Sequence, residues 1–383
     1  MFDWEQRKLG EVFLYKQGIQ VPVEQQYSQK LPGLIRFIRI SDIVSSNEPP
    51  RFINYHGTNL IKPDDLFMVR YGNPGMISMG YSGVIANNLF RLIPKKNIYT
   101  LFFYFLLIFE NKRLNLLVSN TTMPALSFKA LDTFYVNFPE KLSEQKVIGS
   151  LLKKLDSLIT LQQRKLELLK EIKKGLLQKM FADKSKFPIL RFEGFHDEWE
   201  QCKLGELYSY HNGKAHEQNQ RSSGKYELIN LNSISVDGTL KSSGRYINHA
   251  DEILRQNDLV MILSDIAHGT LLGRVAIIPQ DNKYVLNQRV ALLRPISKSE
   301  NSNFMAPLIN NNQRYFHKMG IGTSQLNISK STVIESLWQI PKIKEQSVIG
   351  NFLQNIDHII ALQHQRLSKL DEIKKSLLQQ MFI

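Results

Sequence analysis

The sequence predicts an α+β protein in which two globular domains are joined by two long, antiparallel coiled-coil helices. Three observations carry that prediction. Residues 144–181 return as residues 345–382, with slightly more than half of the positions identical. The octet Trp4-Glu5-Gln6-Arg7-Lys8-Leu9-Gly10-Glu11 returns as Trp199-Glu200-Gln201-Cys202-Lys203-Leu204-Gly205-Glu206. Between these shared ends, the two halves hold short apolar runs of strand length and differ in sequence. A repeat this long marks two equivalent structural units, so the chain reads as an internal duplication, and pseudo-two-fold symmetry is expected. The expected segments are a first domain over 1–142, a helix over 143–182, a second domain over 183–342 and a second helix over 343–383.

Each copy of the repeat places apolar side chains at alternating three- and four-residue spacing, the seam of a coiled coil. The first seam runs through Ile148, Leu152, Leu155, Ile159, Leu166 and Leu169, then Leu176 and Met180. The second runs through Ile349, Leu353, Ile356, Ile360, Leu367 and Leu370, then Leu377 and Met381. Polar residues interrupt both at the same places, Gln162 and Lys173 in one, Gln363 and Lys374 in the other. Neither copy contains proline. At about 1.5 Å per residue, each helix should span roughly 55–60 Å. A helix with one apolar seam has to bury it, and the other copy is a partner of matching length.

The domains show corresponding signposts. Asp64-Asp65-Leu66-Phe67-Met68-Val69 matches Asn257-Asp258-Leu259-Val260-Met261-Ile262, a turn entering a buried strand. Leu89-Phe90-Arg91-Leu92-Ile93-Pro94 matches Val290-Ala291-Leu292-Leu293-Arg294-Pro295, a strand ended by proline. The turn Thr121-Thr122-Met123-Pro124 corresponds to Thr323-Ser324-Gln325-Leu326. A polar linker and the run FPILRFEGFHDE precede the second Trp, whereas three residues precede the first. The apolar run 99–109 is far short of the roughly 20 residues a bilayer requires and reads as a buried helix.

Composition narrows the class. The 383 residues suffice for two or three domains with real cores. One cysteine excludes a disulfide framework and a cysteine-based zinc site. The start lacks the basic-then-apolar pattern of a signal peptide, so a soluble, cytoplasmic protein without membrane contact is expected. The net charge of +14 is spread along the chain, which suits a polyanion such as DNA.

A search for catalysis finds no convincing site. Asn73-Pro74-Gly75-Met76 lacks the second proline and the aromatic of an amino-methyltransferase loop and reads as a turn. No glycine-rich dinucleotide or S-adenosylmethionine turn is present, and no Walker A sequence. Asp64 and Glu110-Asn111-Lys112 lie too far apart to suggest a nuclease centre, and the latter has no clear counterpart in the other half. His211 and His216, five apart, do not share a helical face, and no metal site is expected.

The order W-E-x-x-K-L-G-E, a variable segment, a Thr/Ser-rich turn, then E-Q-x-V-I-G and a helix ending E-I-K-K-x-L-L-Q-x-M-F occurs twice. It resembles the specificity subunit of type I restriction–modification systems over essentially the full chain. The resemblance implies two target-recognition domains held apart by the conserved helices, each reading one half of a split, asymmetric site on double-stranded DNA. It implies no catalysis and no cofactor in this chain. The implied partners are two modification subunits, which bind S-adenosylmethionine and methylate adenine, and restriction subunits, which use ATP and Mg. Base edges are read by Arg, Lys, Asn, Gln, Ser or Thr. The candidates in the variable segments are therefore Arg70, Tyr71, Asn73, Asn120, Thr121 and Thr122 in the first half. In the second they are Ser264, His268, Thr270, Arg274, Thr323, Ser324 and Gln325. A self-contained DNA-modifying enzyme and a coiled-coil scaffold without DNA are the alternatives.

Overall fold

A computed structural model describes residues 4–44, 48–119, 124–182, 185–266, 269–297 and 300–382. The chain forms two compact units, Met1–Gln163 with Arg366–Ile383, and Arg164–Gln365. The long helices, Leu142–Met180 and Ile343–Met381, are 39 residues each. They are shared between the units, each unit holding the first part of one helix and the last part of the other.

The first unit contains β1 (Trp4–Lys8), β2 (Phe13–Gln17), β3 (Leu34–Ile38), β4 (Arg51–Asn54), β5 (Leu66–Val69), β6 (Ile77–Ser78), β7 (Val84–Ile85), β8 (Leu89–Pro94) and β9 (Tyr135–Pro139). They form sheets of order β2-β8-β5-β6, β4-β3-β7 and β1-β9. All four residues of β5 are buried because both of its faces are covered. Leu66 and Met68 pack with the apolar helix Thr100–Phe109, while Phe67 and Val69 pack with Ile38 and Ile85 of the neighbouring sheet. A strand alternates its side chains between faces, so two-sided burial reads in the sequence as an unbroken apolar run. The run 99–109 is helical from Thr100 to Phe109 and largely buried, as its composition suggests.

The second unit repeats this plan with β10 (Glu200–Lys203), β11 (Tyr208–Asn212), β12 (Tyr226–Ile229), β13 (Tyr246–Ile247), β14 (Leu259–Ile262), β15 (Ser264–Ile266), β16 (Val275–Ile277), β17 (Tyr284–Leu286), β18 (Val290–Pro295), β19 (Gln325–Asn327) and β20 (Leu337–Ile340). The sheet orders β11-β18-β14-β16, β13-β12-β17 and β10-β20 are those of the first unit, and β15-β19 is added. Leu259 and Met261 again face the helix side, and Val260 and Ile262 the small sheet. The matched turns also do the same work. Asp65 accepts from Lys62 N (2.6 Å) and pairs with Arg91 (2.7 Å); Asp258 accepts from Arg255 N (2.7 Å) and pairs with Arg294 (2.7 Å). Glu110-Asn111-Lys112, left without a counterpart by the sequence, acquires one. Asn111 Nδ2 donates to Gly75 O (2.9 Å), as Gln313 Nε2 donates to Gly273 O (3.1 Å).

The repeated E-Q-x-V-I-G motif anchors each long helix to its domain. Gln145 accepts from Tyr99 N through Oε1 (2.9 Å) and donates to Pro139 O through Nε2 (2.8 Å). Gln346 does the same with Asn301 N and Pro341 O, both at 2.9 Å. Both amides are nearly fully buried, which their complete pairing permits. The motif glycine allows backbone-to-backbone approach. A Cβ on Gly149 would stand 3.0 Å from Phe102 N, and one on Gly350 would stand 2.9 Å from Phe304 N. Among the described residues no helix is long and apolar enough to cross a membrane.

Two substitutions of the same kind should therefore change stability in opposite directions. Alanine is favoured over glycine in a helix by about 1 kcal/mol. Gly175 has nothing within 4 Å of its added Cβ, so Gly175→Ala should gain up to that amount. Gly350→Ala forces backbone apart and should lose about 1–3 kcal/mol. Urea midpoints of the two variants against the parent chain check the prediction, and equal shifts would refute the close-approach account.

Candidate nucleic-acid interface and the helix pair

In each unit the chain leaving the central strand meets the segment before a short capped helix. In the first unit Tyr71 bridges Ala125, and Ser127 caps the helix Phe128–Asp132 by accepting from Ala130 N (3.0 Å). In the second, Ser264 pairs with Asn327, and Ser329 caps Lys330–Ile334 by accepting from Thr332 N (3.0 Å). The two contacts occupy equivalent places in the repeat, and Tyr71, Ser264 and Gln325 of the candidate DNA-reading residues lie in them.

Arg70 is half-buried at the end of β5. Its guanidinium donates to Gln17 Oε1 (2.7 Å) and lies over the rings of Phe128 (4.6 Å) and Tyr71 (5.0 Å). It is committed to holding this corner together, with Tyr71 half-buried beside it. Asn73 is exposed on a turn flanked by Gly72 (φ +93°) and Gly75 (φ +83°), a backbone that glycine adopts without strain. Asn120, Thr121 and Thr122 lie outside the described residues. Their flanks are drawn together, since Ser119 N donates to Ala125 O (3.0 Å).

In the second unit the candidates divide by environment. Ser264 is 2% exposed and its hydroxyl accepts from Gln325 Nε2, so both face inward and tie β15 to β19. Ile266 pairs with Gln325 at the end of this ladder. The turn carrying exposed Thr323 and Ser324 therefore emerges at the end of the ladder where Ile266 stands. Asp265 accepts from Leu271 N (2.7 Å), and Thr270 beside it in sequence is exposed. His268 lies outside the described residues. Arg274 points elsewhere. Its guanidinium donates to Asn310 O (3.0 Å) and lines a cavity of about 590 Å³ with Lys170, Lys174 and Asp237. Burial pulls it below its ordinary pKa, an effect that Asp237 opposes. Among the described residues no three His, Cys, Asp or Glu side chains gather as a metal site would require.

The seams behave as continuous stripes. Leu152, Ile159, Leu166, Ile349 and Leu353 are buried and Ile148 nearly so, while Leu155, Leu169, Ile356, Ile360, Leu367 and Leu370 are half-buried. The glutamines in the stripes are covered as well: Gln162 is half-buried and Gln363 is 3% exposed. Lys374 pairs with Asp156 (2.5 Å) in the first unit, and Lys173 pairs with Asp357 in the second. The two pairs are one pair seen twice, with the repeat exchanging the helices. In each unit, higher numbers on one helix meet lower numbers on the other, so the segments run antiparallel. The sequence reading treated these lysines as breaks and missed their partners, although an aspartate recurs at 156 and 357 in both copies.

Residues 1–171 and 196–372 match the family model of the type I restriction modification DNA specificity domain. The chain belongs to that family. It is similar to the MjaVIII type I restriction enzyme specificity subunit of Methanocaldococcus jannaschii, 22% identical over 393 residues that cover 98% of this chain and 91% of the relative. Its fold resembles the type I restriction–modification S subunit of M. genitalium, with a TM-score of 0.70 and 15% identity over 100% of this chain and 96% of that one. It also resembles a chain from a structure of complex assembly and conformational transition in a type I system, with a TM-score of 0.56 and 14% identity over 100% and 98%. The protein is thus a specificity subunit, a DNA-recognition component that works with other restriction–modification subunits and has no catalytic role of its own.

The ion pairs of the specificity subunit's helices are partly exposed, so each should contribute at most about 1 kcal/mol. Lys173→Asp or Asp357→Lys alone should lower stability by about 0.5–1 kcal/mol through like-charge contact. The double exchange should restore it. Denaturation of the four chains gives the coupling energy, and additive losses would show that the two residues do not interact.

Proposed function

We propose that this specificity subunit reads a two-part, asymmetric DNA site, with one part bound by each domain. The observation that carries this reading is the shared scaffold with unlike exposed residues at its equivalent corners: Asn73 in one unit, Thr270, Thr323 and Ser324 in the other. A reader of two different sequences needs a common frame and different side chains at base edges. The subunit brings the site to two modification subunits and to restriction subunits in the cytoplasm. S-adenosylmethionine, ATP and Mg belong to those partners in this reading. Leu158 and Leu161 on the first helix, and their equivalents Ile359 and Leu362 on the second, are exposed outside the seam. One such apolar pair in each unit suits one docked subunit per unit.

Replacing residues 1–142 by the corresponding domain of a relative should change one half of the methylated sequence in a cell carrying the complete system. Replacing 183–342 should change the other half. Methylation mapping reads the result, and a swap that alters both halves would overturn the assignment.

The helices also serve, in this proposal, as the ruler between the half-sites. Seven residues added after Arg164 and after Gln365 keep the seam in phase and lengthen each helix by about 10.5 Å. The unread spacer should grow by about two or three base pairs, at about 3.4 Å each. The half-site sequences should stay the same. An active variant that keeps its original spacer would show that helix length does not set the distance.

A further inference from the structure

The cavity of about 590 Å³ in the second unit has a wall made by the first long helix, β16 and the helix Ser302–Asn311. Cations outnumber acids on it, with Lys170, Lys173, Lys174 and Arg274 against Asp237 and Asp357. Both acids are already engaged. Asp357 pairs with Lys173, and Asp237 accepts from Thr239 N (3.4 Å) and from the Ser235 hydroxyl. Lys170 and Lys174 are exposed, one helical turn apart, and no described side chain pairs with them. Like charges at this spacing repel, so an anion shared between them is favoured. Arg274 adds a donor. Its terminal nitrogens donate to Asn310 O (3.0 Å) and Thr270 O (3.4 Å), but its Nε is buried and has no partner among the described residues. A buried donor without an acceptor is costly. Asn310 is itself locked to Val275 N and O, both at 2.9 Å, so the guanidinium is held in place.

This combination is not part of the shared frame. Phe102 N and Phe304 N meet the two motif glycines, so Tyr104 stands where Ala306 stands and Phe105 where Pro307 stands. Burial raises the Tyr104 phenol above its ordinary pKa, and the charge of Asp156, the counterpart of Asp357, raises it further. The first unit therefore carries a bulky ring near the acid where the second carries a small side chain. Asp371 also replaces Lys170. Small residues and unpaired cations are found together in the second unit.

We propose that this cavity binds a nucleoside phosphate, with its phosphate on Lys170 and Lys174 and its base on the apolar wall of Leu177, Ile277 and Pro307. Lysine ammonium groups bind phosphate as point charges. An apolar wall with a few convergent polar groups is the usual form of a small-ligand site, and the volume lies in the usual range of about 300–1,000 Å³. Two sources share this chemistry, a free nucleotide and a nucleotide of DNA. The site is defined without the DNA-reading corners, so it stands or falls apart from the domain-swap result.

The test titrates the full chain, without DNA, into the fluorescent probe N-methylanthraniloyl-ADP and follows anisotropy. Saturable binding is expected. Lys170→Glu and Lys174→Glu should each weaken it by roughly tenfold or more. Lys165→Glu makes the same charge change at an exposed lysine of the same helix outside the cavity and should leave binding nearly unchanged. Ala306→Tyr brings in the first unit's residue without a change of charge and should weaken binding by roughly tenfold or more through lost space. No saturable binding up to about 1 mM would overturn the proposal. So would an equal loss in Lys165→Glu, which would mean diffuse attraction to a basic surface. Equal competition by ADP and by inorganic pyrophosphate would also overturn it, because the base would then have no place in the site. Added duplex oligonucleotide tells the two sources apart. A probe displaced by the duplex assigns the site to a nucleotide of DNA, and a probe retained assigns it to a free nucleotide.

Discussion

The structure depends on a helix entering a domain core at backbone contact. At that point a buried glutamine must satisfy two orphan groups, a helix-start N–H and a proline carbonyl, and Gln145 and Gln346 do so with the same geometry. A glycine one turn further along must offer no Cβ. An unpaired amide buried here would cost its desolvation without return. These two demands fix where each long helix starts and how closely it packs on its domain. They also explain why the motif is so well kept between copies while the domains around it differ.

With the helix entry fixed, the domain interior can vary only where it does not touch that joint. The central strands β5 and β14 are closed on both faces by apolar side chains, so they tolerate exchange of one apolar residue for another. The loops leaving them are free of that constraint. The corner where the strand exit meets the Ser/Thr turn is one such place. A scaffold held by a buried joint and a two-sided strand presents changeable side chains at one place in each domain.

Polar residues inside the helix seams serve specificity more than stability. Gln162 and Gln363 occupy stripe positions that an aliphatic residue would fill more favourably, and a polar residue there selects register at some cost in stability. The lysine–aspartate pairs act in the same direction, since a slipped register would separate both pairs. Each pair is weak alone, and its recurrence in both units doubles the penalty for misalignment.

The sequence by itself determined the duplication, the two long helices, the buried strands and the buried helix after β8. All of these depend on local periodicity, which one chain segment displays without its neighbours. It also matched the turns at 64–69 and 257–262, because the repeat supplies its own alignment. Only the tertiary structure decided what individual polar residues do. Arg70 and Arg274 have the right chemistry for DNA, yet their guanidiniums are engaged by Gln17 and Asn310. Ser264 lies inside, bonded to Gln325. Lys173 and Lys374 looked like faults in a stripe until Asp357 and Asp156 were found across the helix pair. The reason is common to all of them. Whether a polar side chain faces solvent or an internal partner depends on residues distant in sequence, and only packing brings those together.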